Sequence, residues 1–105
     1  MRATNQEQHD YLKRAARQTA GVMNRDEMMD LLKEQGANVR GTSEDFNRST
    51  GGIWIAADDN TKLFNYYSET WMNTFGVNPK LNKKVEDKGW YFEWYDAGTM
   101  MVWPE

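Results

Sequence analysis

Few side chains in this sequence are equipped for chemistry. The single histidine, His9, has no nucleophile and no further ligand at a usable spacing, so neither a nucleophile–base dyad nor a metal site can be built around it. It reads as a surface histidine near a helix start. Glu93 and Asp96 could form a carboxylate pair for acid–base work, the equipment of a small hydrolase or transferase. Each also has a structural occupation, Asp96 in a turn and Glu93 on the solvated side of a strand. Asp58-Asp59-Asn60 suggests calcium, but an EF-hand loop needs alternating ligands, a central glycine and a distal glutamate, and Glu69 does not fit that spacing. No phosphate-cradling glycine loop, dinucleotide fingerprint or nucleophile elbow occurs. The expectation is a protein that is not an enzyme and holds no metal or cofactor.

Two surfaces have the residue types for binding. Lys80, Lys84 and Lys88 recur every fourth residue with Lys83 beside them, forming a basic helix edge that could meet phosphates while nearby aromatics stack on bases. Glu86 and Asp87 dilute that field, and a solvated helix face accounts for the same pattern. The other surface comes from period-two alternation. If Trp90, Phe92 and Trp94 face the core, then Tyr91, Tyr95, Met101 and Trp103 share the opposite face, softened only by Glu93 and Thr99. Tyr, Trp and Met are enriched at binding interfaces. Such a face would meet a partner protein, pair as a homodimer, or be covered by a helix of the same chain.

The elements that position these residues are marked by their ends. Asn78-Pro79 starts a helix and Gly89 stops it, with Leu81 and Val85 on its apolar side. WYFEWYD and TMMVW then make a hairpin across Asp96-Ala97-Gly98, with Gly98 expected in a left-handed position. Upstream, Thr4 and Glu7 have capping-box spacing ahead of a thin amphipathic helix over about residues 5–19. Asn24 and Glu27 repeat that logic before Met28, Leu31 and Leu32, and Gly36 closes the second helix. Residues 37–52 read as a long polar loop with room for a short strand at 38–40, in which Phe46 anchors to the core. The run IWIAA at 53–57 reads as a central strand, and KLFNYY at 62–67 as its returning hairpin arm. Residues 68–75 have room for a short helical turn bearing Trp71, Met72 and Phe75.

The expected architecture is therefore one α+β domain, spanning the chain: an antiparallel sheet of about four strands in two hairpins, two N-terminal helices, and a further helix before the C-terminal hairpin. The 105 residues allow one modest core, and twelve of the fourteen aromatics lie after residue 50, so the second half builds it. Cysteine is absent, which removes disulfide frameworks and thiolate metal sites and suits a reducing compartment. The sequence carries no apolar run long enough to span a membrane, and its start lacks an apolar signal core, so a soluble cytoplasmic protein is expected. A net charge of −3 is too mild for a DNA mimic and lacks the basic excess of a typical nucleic-acid binder.

The run FGVNPKL followed by GWYFEWYDAGT resembles a segment of small proteins encoded by tailed bacteriophages. The likeness covers less than a third of the chain and brings no activity and no catalytic or binding residues. It implies a setting, a small accessory protein made in a bacterial cytoplasm that binds and blocks a host factor, defence systems included. The expected function is thus non-enzymatic binding of a host protein through Tyr91, Tyr95, Met101 and Trp103. The alternative is nucleic-acid binding through Lys80, Lys83, Lys84 and Lys88.

Overall fold

The computed structural model describes residues 23–47, 49–58 and 61–105. The helix expected over 5–19, with His9, lies outside the described residues. In chain order the elements are α1 (Arg25–Glu34), β1 (Asn38–Thr42), α2 (Ser43–Asn47), β2 (Ile53–Ala56), a 3₁₀ turn (Met72–Thr74), α3 (Pro79–Asp87), β3 (Trp90–Asp96) and β4 (Thr99–Pro104). The four strands form one antiparallel sheet in the order β1-β2-β4-β3. An α+β fold with a four-stranded antiparallel sheet is what the sequence calls for.

Local chemistry sets the helix ends. The Asn24 side chain accepts the Glu27 N–H at 2.9 Å while the Glu27 carboxylate accepts the Asn24 N–H at 3.1 Å, so two otherwise orphaned donors are satisfied reciprocally. In α3 the Asn78 side chain accepts the N–H groups of Lys80 and Leu81 at 2.9 and 3.4 Å, and Pro79 occupies the first turn. Gly36 and Gly89, just past the two helices, have φ of 95° and 84°, the left-handed stop that a side chain would resist.

Ile53, Ile55, Met100 and Val102 alternate onto one face of the sheet, where Phe92 and Trp94 join them in register. Met28 and Leu32 of α1 and Leu81 and Val85 of α3 close over that face, together with Phe64, Val77 and Trp90. This single cluster is the core. Trp90 also fixes the entry to α1, its indole N–H donating to the Met23 carbonyl at 2.9 Å.

The structure departs from the sequence reading in three places. Residues 62–67 do not return along β2. The position beside β2 goes instead to β4 on one side and β1 on the other, so the fourth strand comes from 38–42. The reason lies at Asn65, whose carboxamide oxygen accepts the Tyr67 N–H at 3.1 Å and whose carbonyl accepts the Ser68 N–H at 3.0 Å, folding the chain into a turn. Only Phe64 bridges, to Val77. Residues 37–52 hold β1 and α2 rather than a bare loop. Thr42 and Asp45 cap α2 reciprocally, the Thr42 N–H and hydroxyl reaching the Asp45 carboxylate at 3.1 and 3.0 Å and the Asp45 N–H reaching the Thr42 hydroxyl at 3.3 Å. Gly98 has no positive φ; its N–H donates to the Asp96 carboxylate at 2.9 Å, and a register shift between Trp94 and Asp96 closes the turn.

The stretch after α2 is held by a polar network. Ser43 is fully buried; its hydroxyl donates to the Ser49 carbonyl at 2.7 Å and accepts the Gly52 N–H at 2.9 Å. Glu44 pairs with Arg25 of α1 at 2.7 Å. Its own backbone N–H, then the Arg25 guanidinium, and beyond these the Gly51 N–H and the Ser43 hydroxyl hold its carboxyl down from 4.5 to about 2, against an opposing desolvation. Because the folded value lies below the unfolded one, this stabilisation is full above pH 4.5 and is lost as pH falls towards 2. Denaturation of Glu44→Gln beside the parent should show a stability gap that is constant above that window and closes through it; a gap independent of pH would assign the effect to packing instead.

Candidate functional site

The outward face of the sheet differs from expectation in how much it leaves open. Tyr91, Glu93 and Tyr95 point away from the core, as the alternation requires, and Tyr91 and Tyr95 are exposed. Met101 is not: it sits in register between Trp54 and Glu93 at 2% exposure, and Trp103 is half-buried. The cover comes from α2. The Phe46 ring lies 5.0 Å from Trp54 and 4.8 Å, edge-on, from Tyr95, so Phe46 anchors to the outer face and not to the core cluster. The Trp103 ring lies against Gly52, where an added Cβ would come within 2.4 Å of it, and its N–H donates to Glu93 at 3.1 Å. Met101 is therefore packing, which corrects its assignment as a contact residue; Tyr91 and Tyr95 remain available.

The other expected sites separate in the same way. Among the lysines, Lys83 forms an ion pair with Asp87 at 3.1 Å one turn on, and Lys80 and Lys84 are exposed on α3. Lys88 is the C-cap, and its carbonyl accepts the Met23 N–H at 3.3 Å. Glu93 and Asp96 each hold a local donor, the Trp103 indole and the Gly98 N–H. Among the described residues no three His, Cys, Asp or Glu side chains come together to hold a metal, and no helix is long and apolar enough to cross a membrane.

The most exposed apolar surface lies elsewhere, on the excursion between β2 and α3. Tyr66, Tyr67, Met72 and Phe75 are 50, 79, 69 and 80% exposed, and Tyr66, Met72 and Phe75 border a groove of about 500 Å³ with Trp94. Burying one such side chain is worth about 1.5–3 kcal/mol, so the fold leaves several of these gains unused in one place.

The groove is rigidly built despite its short elements. Ser68 closes the turn ahead of the 3₁₀ segment by accepting the Trp71 N–H at 3.1 Å, and the Phe75 and Gly76 N–H groups bond back to the Met72 and Trp71 carbonyls at 3.2 and 2.9 Å. Gly76, at φ 83°, passes so close to residue 65 that a Cβ would come within 2.4 Å of the Asn65 carbonyl oxygen. Asn65 donates to the Gly76 carbonyl at 2.7 Å across this crossing. Phe75 itself sits at φ 52°, ψ 41°, a left-handed conformation that costs a residue with a Cβ roughly 1–2 kcal/mol. The Trp94 indole N–H donates to its carbonyl and holds it there. Tyr66 packs edge-on to Trp94 at 5.2 Å, which sets its ring on the groove wall, and Tyr67 packs on the Tyr66 ring at the same separation.

Sequence reasoning missed this site because its residues share no period. Tyr66 and Tyr67 looked like alternating strand positions, and Met72 and Phe75 like the buried side of a helical turn. The signal present was compositional: five aromatics and a methionine within 66–75 and 64, far more than a short connection needs. No protein-family model, curated protein or solved structure matches the chain.

Proposed function

We propose that the protein is a non-enzymatic protein-binding module whose contact surface centres on Tyr66, Tyr67, Met72 and Phe75, with Tyr91 and Tyr95 of the outer hairpin face as a second exposed patch. The observation that carries this reading is Phe75: a phenyl ring exposed to solvent by a backbone conformation that opposes it. Strain of this kind persists where the surroundings over-determine it, and it clusters at binding sites. Exposed Tyr, Phe and Met around a groove are the residue types that anchor interfaces. In the setting implied by FGVNPKL and GWYFEWYDAGT, the partner is a bacterial host protein that this chain engages and blocks.

The test is capture from bacterial lysate by the parent and by Tyr67→Ser/Met72→Ser, with and without nuclease. Both positions are largely solvent-exposed, so the double variant should melt within a few degrees of the parent. The expected result is one stoichiometric protein, retained after nuclease by the parent and lost by the variant. Equal capture by both proteins would remove this surface from the interaction. Recovery that disappears with nuclease, and falls steeply with salt, would move the contact to Lys80 and Lys84.

A further inference from the structure

Resting on that protein-binding reading, we propose the mode of attachment: the partner adds an extended, positively charged segment as a fifth strand along the open edge of β3. The sheet has two edges, and they are unequal. β1 is interrupted mid-strand by a bulge between Val39 and Gly41 and presents Arg40, two devices that discourage pairing. β3 runs seven residues, Trp90–Asp96, and its register shift falls only at the turn end, between Trp94 and Asp96. It contains no lysine, no proline and no central bulge. Among the described residues its only strand neighbour is β4. A long, aromatic edge whose one mid-strand charge is Glu93 is a template for a strand of opposite charge.

Room exists beside it. A second groove of about 230 Å³ runs between β3 and the 3₁₀ turn with α3, bordered by Tyr91, Phe92 and Trp94 on the strand side and by Thr74, Asn82 and Glu86 opposite. Because successive strand residues point to opposite faces, an added strand would send alternate side chains into this groove and the others out beside Tyr91, Glu93 and Tyr95. Both rows then meet a carboxylate, Glu86 inside and Glu93 outside, each exposed. The charge of this half of the chain agrees, with eight acidic against five basic groups over residues 51–105. Charge decides against a second copy as the occupant. Two β3 edges paired about their centre would set Glu93 against Glu93, and like charges directly opposite destabilise a pair. A strand with a basic residue on each face gains where the copy loses.

The probe is an acetylated, amidated peptide, Val-Thr-Val-Lys-Lys-Val-Thr-Val, whose adjacent lysines point to opposite faces. It is compared with the same peptide carrying Glu-Glu at the centre, and with the lysine peptide N-methylated on four consecutive central amides, which blocks both of its edges. Each is titrated into the full chain, reading backbone amide shifts and hydrogen exchange. The expected result is slowed exchange and shifted amides along Tyr91–Tyr95, and binding of the lysine peptide about tenfold tighter than the glutamate one, from two reversed cross-strand charge pairs. Glu86→Lys/Glu93→Lys should invert that order, and N-methylation should abolish binding. Equal affinity for both charges, survival of N-methylated binding, shifts confined to residues 66–75, or no binding at all would each overturn strand addition. So would concentration-dependent shifts of β3 without peptide, which would make a second copy the occupant. Lysate capture lost in Tyr67→Ser/Met72→Ser alongside a silent β3 would leave the binding surface standing and remove only this mode.

Discussion

Replacing Phe64 with alanine should lower stability by about 3–5 kcal/mol, the range for deleting a buried phenyl ring. Phe64 is 1% exposed, and its ring meets Phe92 and Trp94 edge-on at 5.6 and 6.4 Å. Those geometries add about 0.5–1.5 kcal/mol beyond the buried area. Phe64 and Val77, bridged to each other, are the residues that tie the excursion after β2 into the core. The cavity would open beneath the segment that carries Tyr66 and Phe75, so the groove there should loosen along with the fold. For a domain of this size the loss corresponds to roughly 15–30 °C in Tm. Chemical and thermal denaturation measure it directly. A loss below about 1 kcal/mol would mean that the excursion is held by its backbone crossing at Asn65 and Gly76 and not by its core anchor.

How far the fold could be read in advance depended on whether the determining interactions were local. Asn24 with Glu27, Asn78 with Pro79, and Gly36 and Gly89 act within a turn of themselves, and each helix began and ended where they indicate. The β3–β4 alternation was also legible, because a short turn fixes register and period two then sorts Phe92 and Trp94 from Tyr91 and Tyr95. What lay across the sequence was not. Ile53 and Ile55 can pair with any strand offering apolar partners, and the competition among 38–42, 62–67 and 99–104 was settled by Asn65, whose side chain spends itself on a turn. The Thr42–Asp45 cap was available in the sequence as T-x-x-D, but it lies inside a polar stretch that composition alone makes look like loop. Met101 illustrates the limit most clearly. Its parity was read correctly and its exposure was not, because its cross-strand neighbour Trp54 is packed by Phe46, which arrives from a helix more than fifty residues before Met101.

The proposed binding surface was hidden for a different reason: it contradicts the local rules. A phenylalanine at a left-handed position and two exposed neighbouring tyrosines are what propensity argues against, and departures of this kind are expected where a surface serves something other than folding. The same contradiction makes the reading testable in one substitution. Phe75→Gly removes a ring that is 80% exposed and contributes little to the core, and it relieves a backbone conformation at φ 52° that glycine adopts freely. Stability should hold or rise by up to about 1 kcal/mol, the relief offset in part by the greater freedom of glycine in the unfolded chain. Partner binding should fall by about thirtyfold or more, the loss typical of truncating a central aromatic anchor. Opposite movement of the two measurements would identify the strain at Phe75 as the cost of presenting the ring. If stability fell with binding, the ring would be a structural prop; if binding were unchanged, the contact surface would lie on the β3 side of Trp94 and the exposed phenyl would have no part in it.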